Sequence, residues 1–487
     1  MKNLILITTD QQRFDSIGCN GNGFIKTPCL DKIASNGARF KRAYCTNPVC
    51  TPSRVSIMTG LLPSRHGSYN IGTRAADTSG FLSTVLTRSG YRTHQIGKAH
   101  FYPWDEESPE TRPVCSQEPF TDFAGFETAE LSVGHSDWGV NGHYEAWLRE
   151  RGICKGKKMP QLQTARLFEN DAYQCSDWGM PVECHSGAWI LEKAEKFLKE
   201  RDRERPFYLN LGFQDPHHPL SVPEDWQKPL LEKIPLPEGA VHEEIGPQKA
   251  LREGKIEEEY GGRFGIAGNQ DTVWMAAGEE QIKKTRQYYY AMVELYDMQI
   301  GQLFSLLEKY QASKDTLVVI TSDHGDMLYD HGLGEKGPMA YEQVLRVPLI
   351  LWAPREIAPQ TVDEPISLAD LYPTILEYLD IPYPKNCDGI SLKGLLMGKG
   401  ITRKVVRAEF KEEQDAVRYR CFITKDYKLV EYPGEAFGEL YCLKNDPWEN
   451  NNLYDDPGHL DAKYRILKAA MEEEEKNDFL AERNCRC

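Results

Sequence analysis

Apolar residues along the chain form two patterns, short continuous runs and longer segments with helical spacing. Four short runs have the length of strands that are buried on both faces: residues 4–9, 93–97, 207–213 and 317–321. Four longer segments repeat apolar residues at helical intervals: residues 27–36, 81–89, 187–200 and 280–310. Because strands alternate with helices, we predict an α/β domain with a large mixed, mostly parallel sheet sandwiched by helices.

The last hundred residues follow a different pattern. Pro382, Pro384 and Gly389 mark a break after a helical segment over residues 366–379. Beyond the break, three alternating segments are typical of antiparallel strands and are followed by one helix: residues 419–424, 428–432, 439–443 and 459–477. We therefore predict two domains, a main α/β domain over residues 1–385 and a smaller C-terminal α+β domain over residues 386–487.

Residues 225–280 interrupt the α/β pattern. This segment is rich in Pro, Gly, Glu and Lys, and its apolar residues show weak periodicity. We interpret it as a long surface insertion or lid.

Composition and charge narrow the range of possible functions. The 487 residues are 40% hydrophobic and 27% charged, which is typical of a soluble globular enzyme. The formal net charge of −15 argues against a basic nucleic-acid-binding face, so the cations that bind an anionic substrate must be concentrated locally.

No apolar run is long enough for a membrane span. The run at residues 4–7 is also too short for a signal-peptide core, which needs about 7–15 apolar residues. We expect a cytoplasmic protein, or one from which a leader has been removed.

Polar side chains follow four of the predicted strands. In open parallel sheets, ligands bind beyond the carboxyl ends of the strands. The side chains at these ends are carboxylates, amides, imidazoles and one ammonium group: Asp10 and Gln11, Lys98 and His100, His217, and Asp323 and His324. We expect them to surround one crevice.

Asp10, Gln11, Asp323 and His324 suit a divalent metal ion. The carboxylates supply charge, the amide oxygen is a hard ligand, and imidazole is accepted by most divalent ions. The alternative is that each aspartate caps a following helix or turn.

Cys50 lies shortly before Pro52, which suits the first turn of a helix over residues 52–59. The helix dipole and Arg54 favour an anion there, either a thiolate or a bound oxyanion. From the local sequence, a reactive thiol and a buried inert cysteine both remain open.

The motifs resemble those of the sulfatases. Residues 50–54 (CTPSR), followed by Thr59 and Gly60, are similar to their C-x-P-S-R…T-G signature. Other family motifs are matched in the same order: residues 27–31 (TPCLD), 97–100 (GKAH), 216–219 (PHHP), 322–326 (SDHGD), Lys336, 346–348 (RVP) and 439–453. The resemblance covers nearly the whole chain and implies a Cys-type, formylglycine-dependent sulfatase with an alkaline-phosphatase-like fold.

The resemblance also implies a cofactor set and a role for each site residue. Cys50 would be oxidised by a formylglycine-generating enzyme, and the hydrate of the aldehyde would be the nucleophile. Asp10, Gln11, Asp323, His324 and residue 50 would hold the metal. Arg54 would orient the hydrate. Lys98, His100 and Lys336 would bind the sulfate oxygens, and His217 would lie near the leaving-group oxygen. A metal and fixed cations suit this reaction because negative charge develops on the sulfate oxygens and the leaving oxygen.

Two departures from the common pattern concern the metal. Many sulfatases have a second aspartate at the position of Gln11 and asparagine at that of His324. The combination of Gln11 and His324 resembles that of phosphonate monoester hydrolases and choline sulfatases. We expect Ca²⁺, with Mn²⁺ or another divalent ion as the alternative.

The expected substrate is a sulfate ester, by default that of a sulfated carbohydrate. The alternative is a phosphonate monoester or phosphodiester hydrolase, because Asn70 resembles a substrate-contacting residue of the phosphonate hydrolases. Lys98 and His100 favour the sulfatase. If Cys50 stays unmodified, the expected protein is an anion- and metal-binding protein with little turnover. His135 and His143 are further candidate substrate contacts, with solvated loop histidines as the alternative. The sequence gives no indication of oligomeric state.

Overall fold

The structure is a computed structural model, and it describes the chain except for residues 1, 75–76, 105–107, 115, 135–140, 154–174, 224, 227, 230, 240–277, 401–402, 412–417 and 478–487. Most of the predicted insertion over residues 225–280 therefore lies outside the described residues, and its interpretation as a lid stays a prediction. No helix in the described ranges combines the length and the apolar character that a membrane span needs.

The strands of the described residues are, in chain order, β1 (Asn3–Thr9), β2 (Ala38–Tyr44), β3 (Arg92–Gly97), β4 (Phe120–Phe123), β5 (Phe126–Val133), β6 (Asn141–Gly142), β7 (Cys175–Trp178), β8 (Phe207–Gly212), β9 (Leu220–Pro223), β10 (Thr316–Ser322), β11 (Arg346–Trp352), β12 (Gln360–Val362), β13 (Ile366–Ser367), β14 (Val406–Lys411), β15 (Arg418–Ile423), β16 (Lys428–Glu431) and β17 (Gly438–Tyr441).

The α-helices are α1 (Pro28–Ser35), α2 (Cys50–Thr59), α3 (Pro63–His66), α4 (Leu82–Arg88), α5 (His143–Glu150), α6 (Ser186–Glu200), α7 (Glu279–Lys309), α8 (Glu342–Leu345), α9 (Leu371–Tyr378), α10 (Lys393–Leu396) and α11 (Leu460–Asn477). The four strands and four helices predicted for the α/β part are all present, with ends that differ by at most one residue.

The main sheet has the order β12-β2-β11-β10-β1-β8-β3-β5-β4, and its central strands β10, β1, β8, β3 and β5 are parallel. Strand β11 pairs antiparallel with both β10 and β2. The prediction of a mixed, mostly parallel sheet is confirmed.

Helices cover both faces of this sheet. Along β1, Leu4 and Leu6 enter one hydrophobic cluster while Ile5 and Ile7 enter another, as the two-residue period of a strand requires. Helices α2, α4 and α9 supply apolar side chains to the first cluster, and α1, α6 and α7 supply the second. This two-sided burial explains why the central strands are continuous apolar runs.

Strands β2 and β11 were not predicted. Charged residues at positions 39, 41 and 42 break the apolar pattern of β2, and Pro348 lies inside β11. The pairing of these strands shifts register between Val347 and Leu349, which is a bulge that accommodates the proline. Their strand character comes from pairing within the sheet.

The C-terminal part is a four-stranded antiparallel sheet, β14-β15-β16-β17, with α11 on one face. Between this sheet and α11 lies a small cluster that includes Phe422, Leu440 and Ile466. The opposite face, through Ala408 and Tyr419, joins the first cluster of the main sheet. The predicted α+β pattern is therefore present, and the domain boundary at residues 385–386 stays a prediction.

Candidate active site

The carboxyl ends of β1, β3, β8 and β10 bring the predicted polar residues to one edge of the sheet. Thr9 pairs with Ser322, which places Asp10 beside Asp323. The backbone N–H of Gln11 donates to Asp323 Oδ1 at 3.1 Å, and the N–H of Lys98 donates to the carbonyl of Gly212 at 2.8 Å.

Four candidate metal ligands meet at this edge. One ligand atom each from Asp10, Cys50, Asp323 and His324 lies within 4.8 Å of the others, and all four residues are buried. The Nδ1 of His324 donates to the carbonyl of Gly325 at 2.9 Å, so its Nε2 is left as the ligand atom. Two carboxylates and a neutral imidazole in a buried cluster fit a divalent cation.

Gln11 lies beside this cluster and is held there by Asp326. Its Nε2 donates to Asp326 Oδ2 at 2.5 Å, so the amide oxygen Oε1 points towards Lys336 Nζ, at 3.1 Å. Asp326 therefore holds the amide with its oxygen in the site. Asp326 is not among the predicted site residues, although it is the last residue of the SDHGD motif.

Three cations surround the cluster. Lys98 Nζ forms an ion pair with Asp10, Arg54 Nε lies 2.7 Å from Asp323 Oδ2, and Lys336 Nζ lies 3.4 Å from Cys50 Sγ. Burial by itself raises the pKa of Asp10, but Lys98 and Arg54 bring that pKa well below its usual value. Three cations face two carboxylates here, in a chain whose net charge is −15. The local concentration of positive charge that an anionic substrate needs is present.

Cys50 is the first residue of α2, two residues earlier than the predicted helix start. Its Sγ lies 3.2 Å from His324 Nε2 and 3.6 Å from Asp10 Oδ1. Burial, with the charge of Asp10, raises the pKa of the thiol to about 12 against the opposing effect of Lys336 and Lys98. Burial thus favours a neutral thiol at residue 50 before any modification, and the interpretation of Cys50 as a reactive thiolate stays a prediction.

His100 is fixed by neighbours that the sequence analysis did not select. Glu110 accepts hydrogen bonds from the backbone N–H groups of residues 100–102, at 2.7–3.2 Å. The ring of Trp104 stacks on His100 with centroids 5.1 Å apart, and Trp104 is 44% exposed. Burial and the charge of Lys98 lower the pKa of His100 well below its usual value, so the imidazole is neutral.

His217 lies against Lys336, with Nζ 2.8 Å from His217 Nε2. His218 stacks on His217 with centroids 4.0 Å apart and lies 3.3 Å from the amide of Gln11. The other side of His218 faces Glu335 at 3.5 Å. The PHHP motif thus places His217 against Lys336, while His218 stacks on His217 and contacts Gln11 and Glu335.

The predicted substrate contacts have different surroundings. Asn70 is buried, and its Oδ1 accepts from the N–H of Ile71 at 2.8 Å. His143 is fully buried, with Nδ1 accepting from the N–H of Leu131 at 3.0 Å and Nε2 donating to the carbonyl of Glu118 at 2.9 Å. No ring nitrogen of His143 is left for a substrate, so its assignment is not carried further. His135 lies outside the described residues.

Comparisons with known proteins agree with this geometry. The sulfatase family model matches residues 2–381, and the model of the N-sulphoglucosamine sulphohydrolase C-terminal region matches residues 330–477. An arylsulfatase of Clostridium perfringens is 28% identical over 470 residues, which cover 93% of this chain and 90% of that protein. An N-acetylglucosamine-6-O-sulfatase of Bacteroides thetaiotaomicron is 26% identical, over 97% of this chain and 86% of that protein.

Among solved structures, the phosphonate monoester hydrolase of Agrobacterium radiobacter has a TM-score of 0.77 at 22% identity, with 98% of this chain and 96% of that chain covered. This likeness shows the alkaline-phosphatase-like fold. Since the family model spans most of the chain and its signature cysteine lies among the four candidate metal ligands, the chain belongs to the sulfatase family and is a sulfuric ester hydrolase.

Proposed function

We propose that this sulfatase hydrolyses the sulfate ester of a sulfated carbohydrate, with formylglycine formed from Cys50 and a bound divalent cation. The observation that carries the proposal is the position of Cys50 between three candidate metal ligands and the ammonium group of Lys336. The similarity to an N-acetylglucosamine-6-O-sulfatase supports a carbohydrate as substrate.

Oxidation of Cys50 gives this position a nucleophile that the thiol cannot supply. A thiol with a pKa of about 12 has little thiolate at neutral pH. When formed, the aldehyde supplies a hydrate, whose second hydroxyl offers a route for release of sulfate. The chain would need a formylglycine-generating enzyme as its maturation partner.

The residues around position 50 would do the remaining work. Lys98, His100 and Lys336 would bind the sulfate oxygens, where negative charge is held through the reaction. Lys336 Nζ and His217 Nε2 share a hydrogen bond, so this pair holds a proton that can pass to the leaving oxygen. Arg54 would orient the hydrate from its place beside Asp323.

The metal would be held by Asp10, Gln11, Asp323 and His324 together with residue 50. A divalent cation would supply Lewis-acid polarisation of the sulfate group. We propose Ca²⁺ because three of the four supporting side chains offer oxygen, with Mn²⁺ as the alternative because of the imidazole.

The decisive experiment combines peptide mass spectrometry at residue 50 with sulfate release from an aryl sulfate and from sulfated monosaccharides. We expect the aldehyde mass at residue 50, turnover that chelation abolishes and Ca²⁺ restores, and no turnover in Cys50→Ala. A protein with the aldehyde and metal but no sulfate release from any of these esters contradicts the proposal. A wholly unmodified Cys50 in the native host leaves only the anion- and metal-binding protein.

A second candidate is a phosphonate monoester hydrolase, which the combination of Gln11 and His324 favours. An aryl sulfate and an aryl phosphonate monoester, assayed on one preparation, distinguish the two. We expect the larger kcat/KM for the sulfate, and a much larger value for the phosphonate would replace the first proposal.

A further inference from the structure

A cavity of about 450 Å³ lies where the C-terminal sheet meets the segment that follows α2. One wall is formed by strands β14 and β15, and the other by the segment from Pro63 to Tyr69, with Asn47 between them. The lining side chains and backbone belong to Asn47, Pro63, Ser64, Tyr69, Glu409, Phe410, Lys411, Arg418, Tyr419, Arg420 and Pro433.

Residues of the cavity lie close along the chain to active-site residues, or contact such neighbours. Asn47 precedes Cys50 by three residues, so their Cα atoms are separated by at most about 11 Å. The Nδ2 of Asn47 donates to the carbonyls of Tyr69 and Glu409, at 3.2 and 2.8 Å, and so joins the two walls. On the other side, the hydroxyl of Tyr419 donates to the carbonyl of Met339, three residues after Lys336.

The charged side chains of this cavity are mostly cations. Its single lining carboxylate, Glu409, accepts from the N–H and hydroxyl of Ser64 and forms an ion pair with Arg407 at 2.5 Å. Within the part of the chain that the structure describes, no carboxylate lies within 4.0 Å of Lys411 or Arg418. Both cations are therefore available to a ligand from solvent.

Lys411 also has an aromatic neighbour. Its Nζ lies 5.3 Å from the centre of the Tyr69 ring, which is partly exposed. Tyr69 thus offers an amphipathic surface beside two cations, and the residue after it is Asn70. A sugar ring with an anionic substituent matches this combination of an aromatic face and positive charge.

A neighbouring cavity provides an internal comparison. It shares Arg420 with the first, and its other arginines are neutralised by carboxylates. Arg65 pairs with Asp388 at 3.1 Å, and Arg403 pairs with Asp370 at 2.5 Å. These ion pairs are part of the folded structure, so this second cavity is not a candidate for an anionic ligand.

We propose that the cavity at Lys411 and Arg418 is an accessory subsite for a second anionic group, a sulfate or carboxylate, on a sugar unit next to the one that carries the scissile sulfate. The preferred substrate is then an oligosaccharide with at least two anionic groups. This inference rests on the proposed function and adds a substrate class to it.

The test compares two disaccharides that share the scissile sulfate, one with a second sulfate on the neighbouring unit and one without it. The double variant Lys411→Gln/Arg418→Gln removes both cations. Its control is Arg203→Gln/Lys444→Gln, which removes two exposed cations elsewhere. The wild-type protein should have a lower KM for the disulfated disaccharide than for the monosulfated one. In the double variant this ratio of KM values should fall roughly tenfold, as expected for the loss of two partly exposed charge contacts. A third disaccharide with a carboxylate in place of the second sulfate shows which anion is preferred.

Binding to Cys50→Ala, measured by calorimetry, separates this inference from the proposed function. If no ester is hydrolysed but the Lys411→Gln/Arg418→Gln exchange still weakens binding of the disulfated disaccharide, the proposed reaction fails and the subsite stands. If wild type and double variant distinguish the two disaccharides equally, in turnover and in binding, the subsite is refuted. That result is expected if the three acidic residues in 412–417 neutralise the two cations.

Discussion

Replacing Lys428 by methionine should destabilise the junction between the C-terminal sheet and the active-site part of the chain. Lys428 is fully buried, and its Nζ forms an ion pair with Glu449 and lies 3.4 Å from Glu342. Burial lowers the pKa of this ammonium group, but the two carboxylates together raise it above its usual value, so it is charged. In the variant, Glu449 loses its ammonium partner and keeps the hydrogen bond from the N–H of Glu342 at 2.7 Å, while Glu342 keeps the hydroxyl of Tyr44 at 3.2 Å.

The magnitude follows from the loss of one partner in a buried ion pair. Such a loss costs about 3–5 kcal/mol. We expect the lower end, about 3 kcal/mol, because Glu449 keeps a backbone hydrogen bond and can take up a proton. At about 2.1 cal/mol/K of unfolding entropy per residue, a unit of 487 residues would lose about 3 °C in Tm. If residues 386–487 unfold separately, the same loss would lower their transition by about 14 °C.

Differential scanning calorimetry of wild type, Lys428→Met, Glu449→Gln and the double variant is the assay. The double variant should recover part of the stability, because it leaves no unpaired charge at position 449. A Tm for Lys428→Met within 1 °C of wild type, or a double variant that is less stable than the sum of the single losses, would refute the reasoning. The size of the shift also tests the predicted domain boundary.

Three further predictions concern the site and its support. Asp326→Asn should lower Ca²⁺ affinity by about 10–100-fold in a calorimetric titration, because asparagine has only one oxygen for the two donors that Asp326 accepts from, the amide of Gln11 and the N–H of Leu328. Gly212→Ala should lower kcat/KM and cost about 1–3 kcal/mol in urea unfolding, because the new Cβ would lie 1.9 Å from the carbonyl oxygen of Lys98. Burial lowers the pKa of His66 to about 4, from the value of 6.5 that an exposed histidine has. As the pH falls from 6.5 to 4, the unfolded chain binds a proton that the folded chain does not, so the free energy of unfolding should fall by about 3 kcal/mol. His66→Gln should flatten that fall in Tm profiles.

Each of these predictions has a control or an outcome that contradicts it. Gly179→Ala, where the new Cβ meets no atom within 4 Å, should leave stability nearly unchanged. Unaltered Ca²⁺ affinity in Asp326→Asn would show that Gln11 is oriented by other contacts. A wild-type Tm that is constant from pH 6.5 to pH 4 would contradict a neutral buried His66, whose Nδ1 accepts from the N–H of Ser68 at 3.1 Å.

Much of the site could be predicted because its residues stand at the ends of locally recognisable strands. The apolar runs of β1, β3, β8 and β10 identify the strands, and parallel strands share one carboxyl edge. Asp10 and Asp323 therefore meet as expected, and Cys50 joins them as the resemblance to the sulfatases implies. The supporting residues were missed because nothing in their local sequence distinguishes Glu110 or Trp104 from other loop residues.

The sequence by itself determined the α/β pattern, the order of the motifs and the chemistry of the residues at the strand ends, because two-residue and 3.6-residue periods are local properties. Tertiary structure decided which distant side chains meet. Gln11 reaches Asp326 across 315 positions, and β11 is a strand despite Pro348 because it lies between β10 and β2. It also decided the direction in which the pKa of Cys50 shifts, since desolvation and neighbouring charge depend on burial that no sequence pattern expresses.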